Sequence, residues 1–328
     1  LTAAGTPQYA LNYDGQKVIL PSDLGYELRG VLKAQQLVYN ADGTISKEDR
    51  QPCNSFYDGF AVESVDTDSF DETWEPVWGE EAQIRNNYNE LLVNLVQTSS
   101  EKKMSIRFRL YDDGVAWRMK TSFSEEIEVM QENTVFQLAD NCELVLQQPG
   151  GFKTSCEENY SVVKSNEWKK EDRMSELPIL IMGKNQKILL SEFDLYDYPG
   201  LFLKGNSDNS LSAIQPKNPL EYEDDGDRRQ RILKEADYIA KTSGTRTFPW
   251  RYMLITQEDG RLAENRMPMR LAPECKIEDT SWIKPGLTCW DWLNGIPYGP
   301  DVTFEGGINL ETYKYFVDFA SRNGIAYI

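Results

Sequence analysis

The sequence predicts a mainly β protein. A large antiparallel β-super-sandwich is expected over residues 1–256 and a linker over 257–279. Over 280–328 the expectation is the first β/α unit of a truncated (β/α)8 barrel. Three observations carry this. Short apolar runs recur between turn signals through most of residues 1–246. Several of those runs alternate, as the strands of half-solvated antiparallel sheets do. Near the C-terminus a capped amphipathic helix lies between two apolar runs, the opening of a parallel α/β domain.

Taken in order, residues 9–13 and 17–20 flank an Asp14-Gly15 turn, and residues 92–96 form the next apolar run. In residues 104–110, Ile106, Phe108 and Leu110 fall on one face and Arg107 and Arg109 on the other. Asp112-Asp113-Gly114 makes a hairpin turn, and Val115, Trp117 and Met119 align on the returning strand. Residues 134–138 and 143–146 follow, and residues 177–182 and 187–192 are joined by Gly183-Lys184-Asn185-Gln186. The stretch from Ser207 to Arg229 is polar and holds Pro219 and Gly226, so a loop is expected. The acidic run from Glu63 to Glu75 is likewise expected to be a solvated loop. Residues 248–256 supply the last sandwich strand.

Beyond the linker, Thr280 to Asn294 predicts a loop running into a strand. Asn309 is a good N-cap and Gly324 a good C′ residue for the helix between them. Tyr313, Phe316, Val317 and Ala320 give it an apolar stripe at i, i+3, i+4, i+7. Residues 325–328 begin a second strand. An α/β barrel needs roughly 200–250 residues, and the stretch from Lys276 to Ile328 is about a quarter of that. The expectation is therefore the beginning of a larger domain whose remainder is absent, and a chain that is catalytically inactive alone.

Composition narrows the chemistry. Hydrophobic residues make up 40% and charged residues 27%, the profile of a folded globular chain. No apolar run of about 18 residues exists, so no membrane insertion is expected. The net charge of −18 disfavours nucleic acid and anionic membranes and suits neutral substrates such as sugars. Histidine is absent, which excludes a Ser-His-Asp triad, a Cys-His pair and His-ligated zinc within these residues. Acid/base work falls to carboxylates, Lys or Tyr. Cys53, Cys142, Cys156, Cys275 and Cys289 form no CxxC pair, so free thiols are expected, with a Cys142–Cys156 bridge as the alternative. The chain begins at Leu1, as a removed export signal or a trimmed start would both give.

Three segments could carry function. Glu192, Asp194 and Asp197 fall within six residues on a stretch ending in Pro199-Gly200. They offer oxygen ligands to Ca2+, though without the Gly and Glu of an EF-hand loop, and a solvated acidic turn has the same composition. Trp290, Asp291 and Asn294 combine an indole that stacks on sugar rings with side chains that bond hydroxyls. At the C-terminal end of a barrel strand such residues line the site; as core packing they would look the same. Residues 74–80 and 83–90 form a polar-aromatic cluster suited to a sugar-binding or a domain-contact face.

Together these segments resemble glycoside hydrolase family 97. The resemblance is carried by Trp78-Gly79-Glu80, Ile84-Arg85-Asn86, Tyr88-Asn89-Glu90, residues 108–116 and residues 192–200. It continues through residues 279–286, Trp290-Asp291-Trp292 and residues 307–313. It implies a β-super-sandwich, a catalytic (β/α)8 barrel and a small C-terminal β domain. The implied activity is exo-cleavage of terminal α-linked glucose or galactose from an oligosaccharide substrate by a periplasmic bacterial enzyme. It also implies active-site Ca2+ with one glutamate ligand from the sandwich, matched to Glu192. Trp290, Asp291 and Asn294 would help form the pocket floor. The catalytic carboxylates are expected after Ile328, so no catalytic residue is assigned. Two other readings remain open: a non-catalytic carbohydrate-binding or scaffold sandwich, and an aldose-epimerase-like enzyme, which would require the missing histidine.

Overall fold

In the computed structural model, residues 1–29, 55–226, 229–290 and 300–328 are described. The chain divides into two units. One comprises residues 1–74 and 84–273, the other residues 75–83 and 274–328.

The first unit is built on an antiparallel sheet that has 12 strands among the described residues. Its path runs from Tyr160–Lys164 through Glu143–Gln147, Ile179–Met182, Lys187–Phe193 and Trp250–Thr256. It continues through Gly114–Glu132, Lys103–Tyr111 and Ile84–Gln97 to the edge strand Phe60–Trp74. Gly114–Glu132 is long enough to pair twice along one side. Its first residues take Trp250–Thr256 as partner, and its later ones take Ala240–Thr247. A smaller sheet of Phe202–Gly205, Ser210–Ile214 and Val135–Gln137 and the hairpin Gln8–Tyr13/Gln16–Asp23 supply the rest of the sandwich. Ile19, Trp117, Phe136, Leu190, Leu203, Leu211 and Met253 form its dry centre. The expected hairpin over residues 104–119 is present, with Phe108 opposite Trp117.

Residues 257–279 hold two short helices, α1 (Asp259–Glu264) and α2 (Met267–Leu271). Met267 and Leu271 are buried against Tyr88, Tyr111, Tyr252 and Leu254 on the outer face of the large sheet. That cover makes Trp250–Thr256 buried along its whole length, although the alternating pattern elsewhere predicts one wet face.

Two stretches expected to be loops are strands. The acidic run lies in Phe60–Trp74, pairing with Ile84–Gln97 residue for residue over most of its length. Its side chains stand in water on both faces, so no hydrophobic period marks it. Arg85 paired with Asp71 and Phe70 stacked on Tyr88 at 5.0 Å hold the pair across the strands. The polar stretch 207–229 contains Ser210–Ile214 and, with Pro219 at its first residue, Pro219–Asp224 paired with Gln230–Glu235. The four described cysteines are free thiols, so the alternative Cys142–Cys156 bridge is not formed. Burial pushes the Cys142 thiol up to about 11.

In the second unit the anticipated helix α3 spans Leu310–Asn323. The Asn309 side chain accepts from Thr312 N–H at 2.9 Å, and Gly324 closes the helix at φ 66°. Phe316 and Ala320 are buried with Cys289, whereas Tyr313 and Val317 of the anticipated stripe stay exposed. Thr288 and Tyr327 form a parallel bridge, with Cys289 N–H donating to the Tyr327 carbonyl at 2.9 Å. A helix and one parallel bridge between the segments that flank it are thus present among the described residues.

Candidate functional site

Lys187–Phe193 and Trp250–Thr256 pair so that Glu192 lies opposite Arg251. Alternation puts both on the face of Ile188, Leu190, Met253 and Ile255, which is the sandwich interior. Arg251 is only 3% exposed. Its Nε and Nη2 donate to the two oxygens of Glu132 at 3.1 and 2.7 Å, and Nη1 donates to Glu192 Oε2 at 2.5 Å. Glu132 also accepts from Thr134 Oγ1, Gln215 Nε2 and Tyr198 OH. The remaining Glu192 oxygen, Oε1, accepts from the Leu201 N–H at 3.0 Å.

Charge state follows from this enclosure. Burial works against the Arg251 cation, but Glu132 and Glu192 outweigh it, and the guanidinium pKa rises. Burial raises the Glu192 carboxyl, opposed by Arg251. Burial likewise holds the Tyr198 phenol well above its usual value, and Glu132 adds to the effect.

The loop that follows is fastened from several sides. Asp194 and Asp197 sit at φ 60° and 48°, in the left-handed region. Asp194 accepts from Arg118 Nη1 at 2.9 Å, and Arg246 donates to the carbonyls of Tyr196 and Asp197 at 3.0 and 3.1 Å. Leu195 and Tyr196 are exposed at the tip. On the outer sheet face, the Arg118 and Arg109 guanidiniums lie 4.3 and 4.9 Å from the Trp250 ring, and Arg109 lies 4.4 Å from Tyr88. Glu90 pairs with both Arg107 and Arg109. The polar-aromatic residues 84–90 are therefore part of a packed ionic sheet face.

The expected metal ligands are not brought together. Each Glu192 oxygen already has a protein donor, and Asp194 is held by Arg118. Among the described residues no group of three His, Cys, Asp or Glu side chains could hold a metal ion. A cation placed on Glu192 Oε2 would meet the Arg251 charge. The residues present therefore do not fit Ca2+ at Glu192, and no step is derived through it.

Trp290 is 54% exposed in the second unit, while Asp291 and Asn294 lie outside the described residues. Reasoning from sequence missed Glu132, Arg118 and Arg251. Arg251 did carry a signal, as the one charge inside an apolar strand; Glu132, 119 positions away, carried none.

Residues 1–273 match the family model described as glycosyl-hydrolase 97 N-terminal. A retaining alpha-galactosidase of Bacteroides thetaiotaomicron is 33% identical over 261 residues, which is 75% of this chain and 38% of that protein. A glycoside hydrolase family 97 enzyme from Pseudoalteromonas sp. strain K8, solved in complex with panose, superposes with a TM-score of 0.74 at 21% identity. The match covers 98% of this chain and 44% of that one. A beta-arabinopyranosidase superposes with a TM-score of 0.71 at 19% identity, covering 99% and 47%. The chain spans less than half the length of these relatives.

Proposed function

The chain belongs to the glycosyl-hydrolase 97 family, and from that premise we propose that it is the N-terminal part of an exo-acting glycosidase that removes a terminal α-linked galactose or glucose. The observation that carries this is the family match over residues 1–273, joined by the 33% identity to a retaining alpha-galactosidase. Galactose is the favoured sugar, because that relative is named for it.

The first unit acts as a rigid support. Its residues hold no histidine, and three of its enclosed carboxylates, Glu90, Glu132 and Glu192, are each bound to arginine and so are engaged in the structure. The acid and its partner carboxylate come from outside this chain, and the 328-residue piece alone turns over no substrate. Trp290, Asp291 and Asn294 serve the sugar: the indole stacks on the ring, and the two polar side chains bond its hydroxyls. The enzyme works outside the cytoplasm, in the periplasm.

The test is hydrolysis of nitrophenyl α-galactoside and α-glucoside by the whole protein, with the product anomer followed by NMR. Release of α-galactose first is the expected result and implies carboxyls about 5–5.5 Å apart. No turnover of either substrate would sink the proposal.

A further inference from the structure

We infer that Glu192 is the interior anchor of the 194–200 loop and takes no cation. Each of its carboxylate oxygens has one protein partner, from two different directions. Oε2 is bound by Arg251 at 2.5 Å and Oε1 by the Leu201 N–H at 3.0 Å. The first contact ties it to the buried Arg251–Glu132 pair, and the second closes the loop nine residues on. Gly200 packs at the same carboxylate: a Cβ there would lie 3.5 Å from Glu192 Oε1.

Seen from the loop, four fastenings converge on one short segment. Glu192 holds its end at Leu201, Arg118 holds Asp194, and Arg246 holds the carbonyls of Tyr196 and Asp197. Two residues in left-handed backbone cost conformational energy that persists only where the surroundings over-determine the shape. The outcome is a loop with fixed ends and an exposed Leu195-Tyr196 tip. A carboxylate oxygen that accepts one hydrogen bond keeps a second lone pair, so what disfavours a cation at Glu192 is the adjacent guanidinium charge and the direction of the side chain. Glu192 faces inward, and the nearest charge on its side is the guanidinium. This inference stands on the first unit's contacts and does not depend on the glycosidase proposal.

The test compares Glu192→Ala with the parent in the whole protein, by amide hydrogen exchange and by calorimetric titration with calcium chloride alone. The Leu201 amide is expected to exchange roughly tenfold faster or more, because its acceptor is gone. The Ca2+ dissociation constant is expected to change by less than about tenfold, whereas loss of a ligand or its support costs tenfold or more. A parent with no measurable Ca2+ binding also supports the inference, since no cation then uses Glu192. Unchanged exchange at Leu201, or Ca2+ affinity weakened tenfold or more, overturns it. Should Glu192→Ala fail to fold, Glu192→Gln is read by the same two measurements. It keeps an oxygen for Leu201 but loses the charge facing Arg251, so faster exchange across 194–201 is again expected and parental exchange overturns the inference.

Discussion

Arg251 is the residue on which the interior ionic network turns. Two carboxylates share its single charge inside the sandwich, so removing it strands both. Arg251→Met is expected to lose about 3–5 kcal/mol of stability, read from the urea midpoint. A loss under 1 kcal/mol would show that water reaches the network. Glu192 gives a second prediction with a definite sign. Its folded carboxyl is raised above the unfolded value of 4.5 by burial, against the pull of Arg251. The native state therefore holds the proton more tightly than the unfolded chain does. Its stabilising contribution is fully present below pH 4.5 and is lost as pH rises through the folded value. Parent stability should fall relative to Glu192→Gln across that window; parallel urea midpoints from pH 4.5 upward would contradict this. Of this network the sequence shows only the incongruity of a charge in an apolar strand. The two carboxylate partners of Arg251 come from two other strands, and no spacing rule links Arg251 to Glu132.

At the scale of elements, legibility tracks burial asymmetry. The hairpin over residues 104–119 is readable because Ile106, Phe108, Trp117 and Met119 alternate with the polar Arg107, Arg109, Arg118 and Lys120. Phe60–Trp74 is not, since both of its faces meet water and only backbone pairing with Ile84–Gln97 makes it a strand. Helix α3 is readable from its ends. Its Asn309 cap contributes about 1 kcal/mol, so Asn309→Ala should lower the second unit's melting temperature measurably. An unchanged melt would mean the cap is replaced by water. Met267 on α2 is a position the sequence does not flag, and it is completely buried over the large sheet. Met267→Ala should cost about 2–5 kcal/mol, read by chemical denaturation of the first unit. A cost near zero would show that α2 lifts off freely.

At the scale of the whole molecule, the two units differ in kind. Residues 1–74 and 84–273 enclose a large core with aromatic and aliphatic side chains from both sheets, and a second buried cluster lies under α2. In residues 274–328, Cys289, Phe316 and Ala320 bury a small cluster while Trp282, Leu287, Trp290, Ile308 and Leu310 stand exposed. The β fold and the capped helix Leu310–Asn323 were legible in the sequence because both rest on local periodicity and caps. The site was less so: a carboxylate near a Pro-Gly turn looks like a ligand until the strand register shows it facing an arginine. The central claim is that the first unit folds cooperatively as a sandwich and supports the proposed chemistry without performing it. Scanning calorimetry of residues 1–273 alone, with nitrophenyl α-galactoside present in a parallel assay, tests this most directly. A single cooperative transition and no release of nitrophenol is the outcome expected. A broad, non-cooperative melt, or turnover by this piece, would contradict the claim.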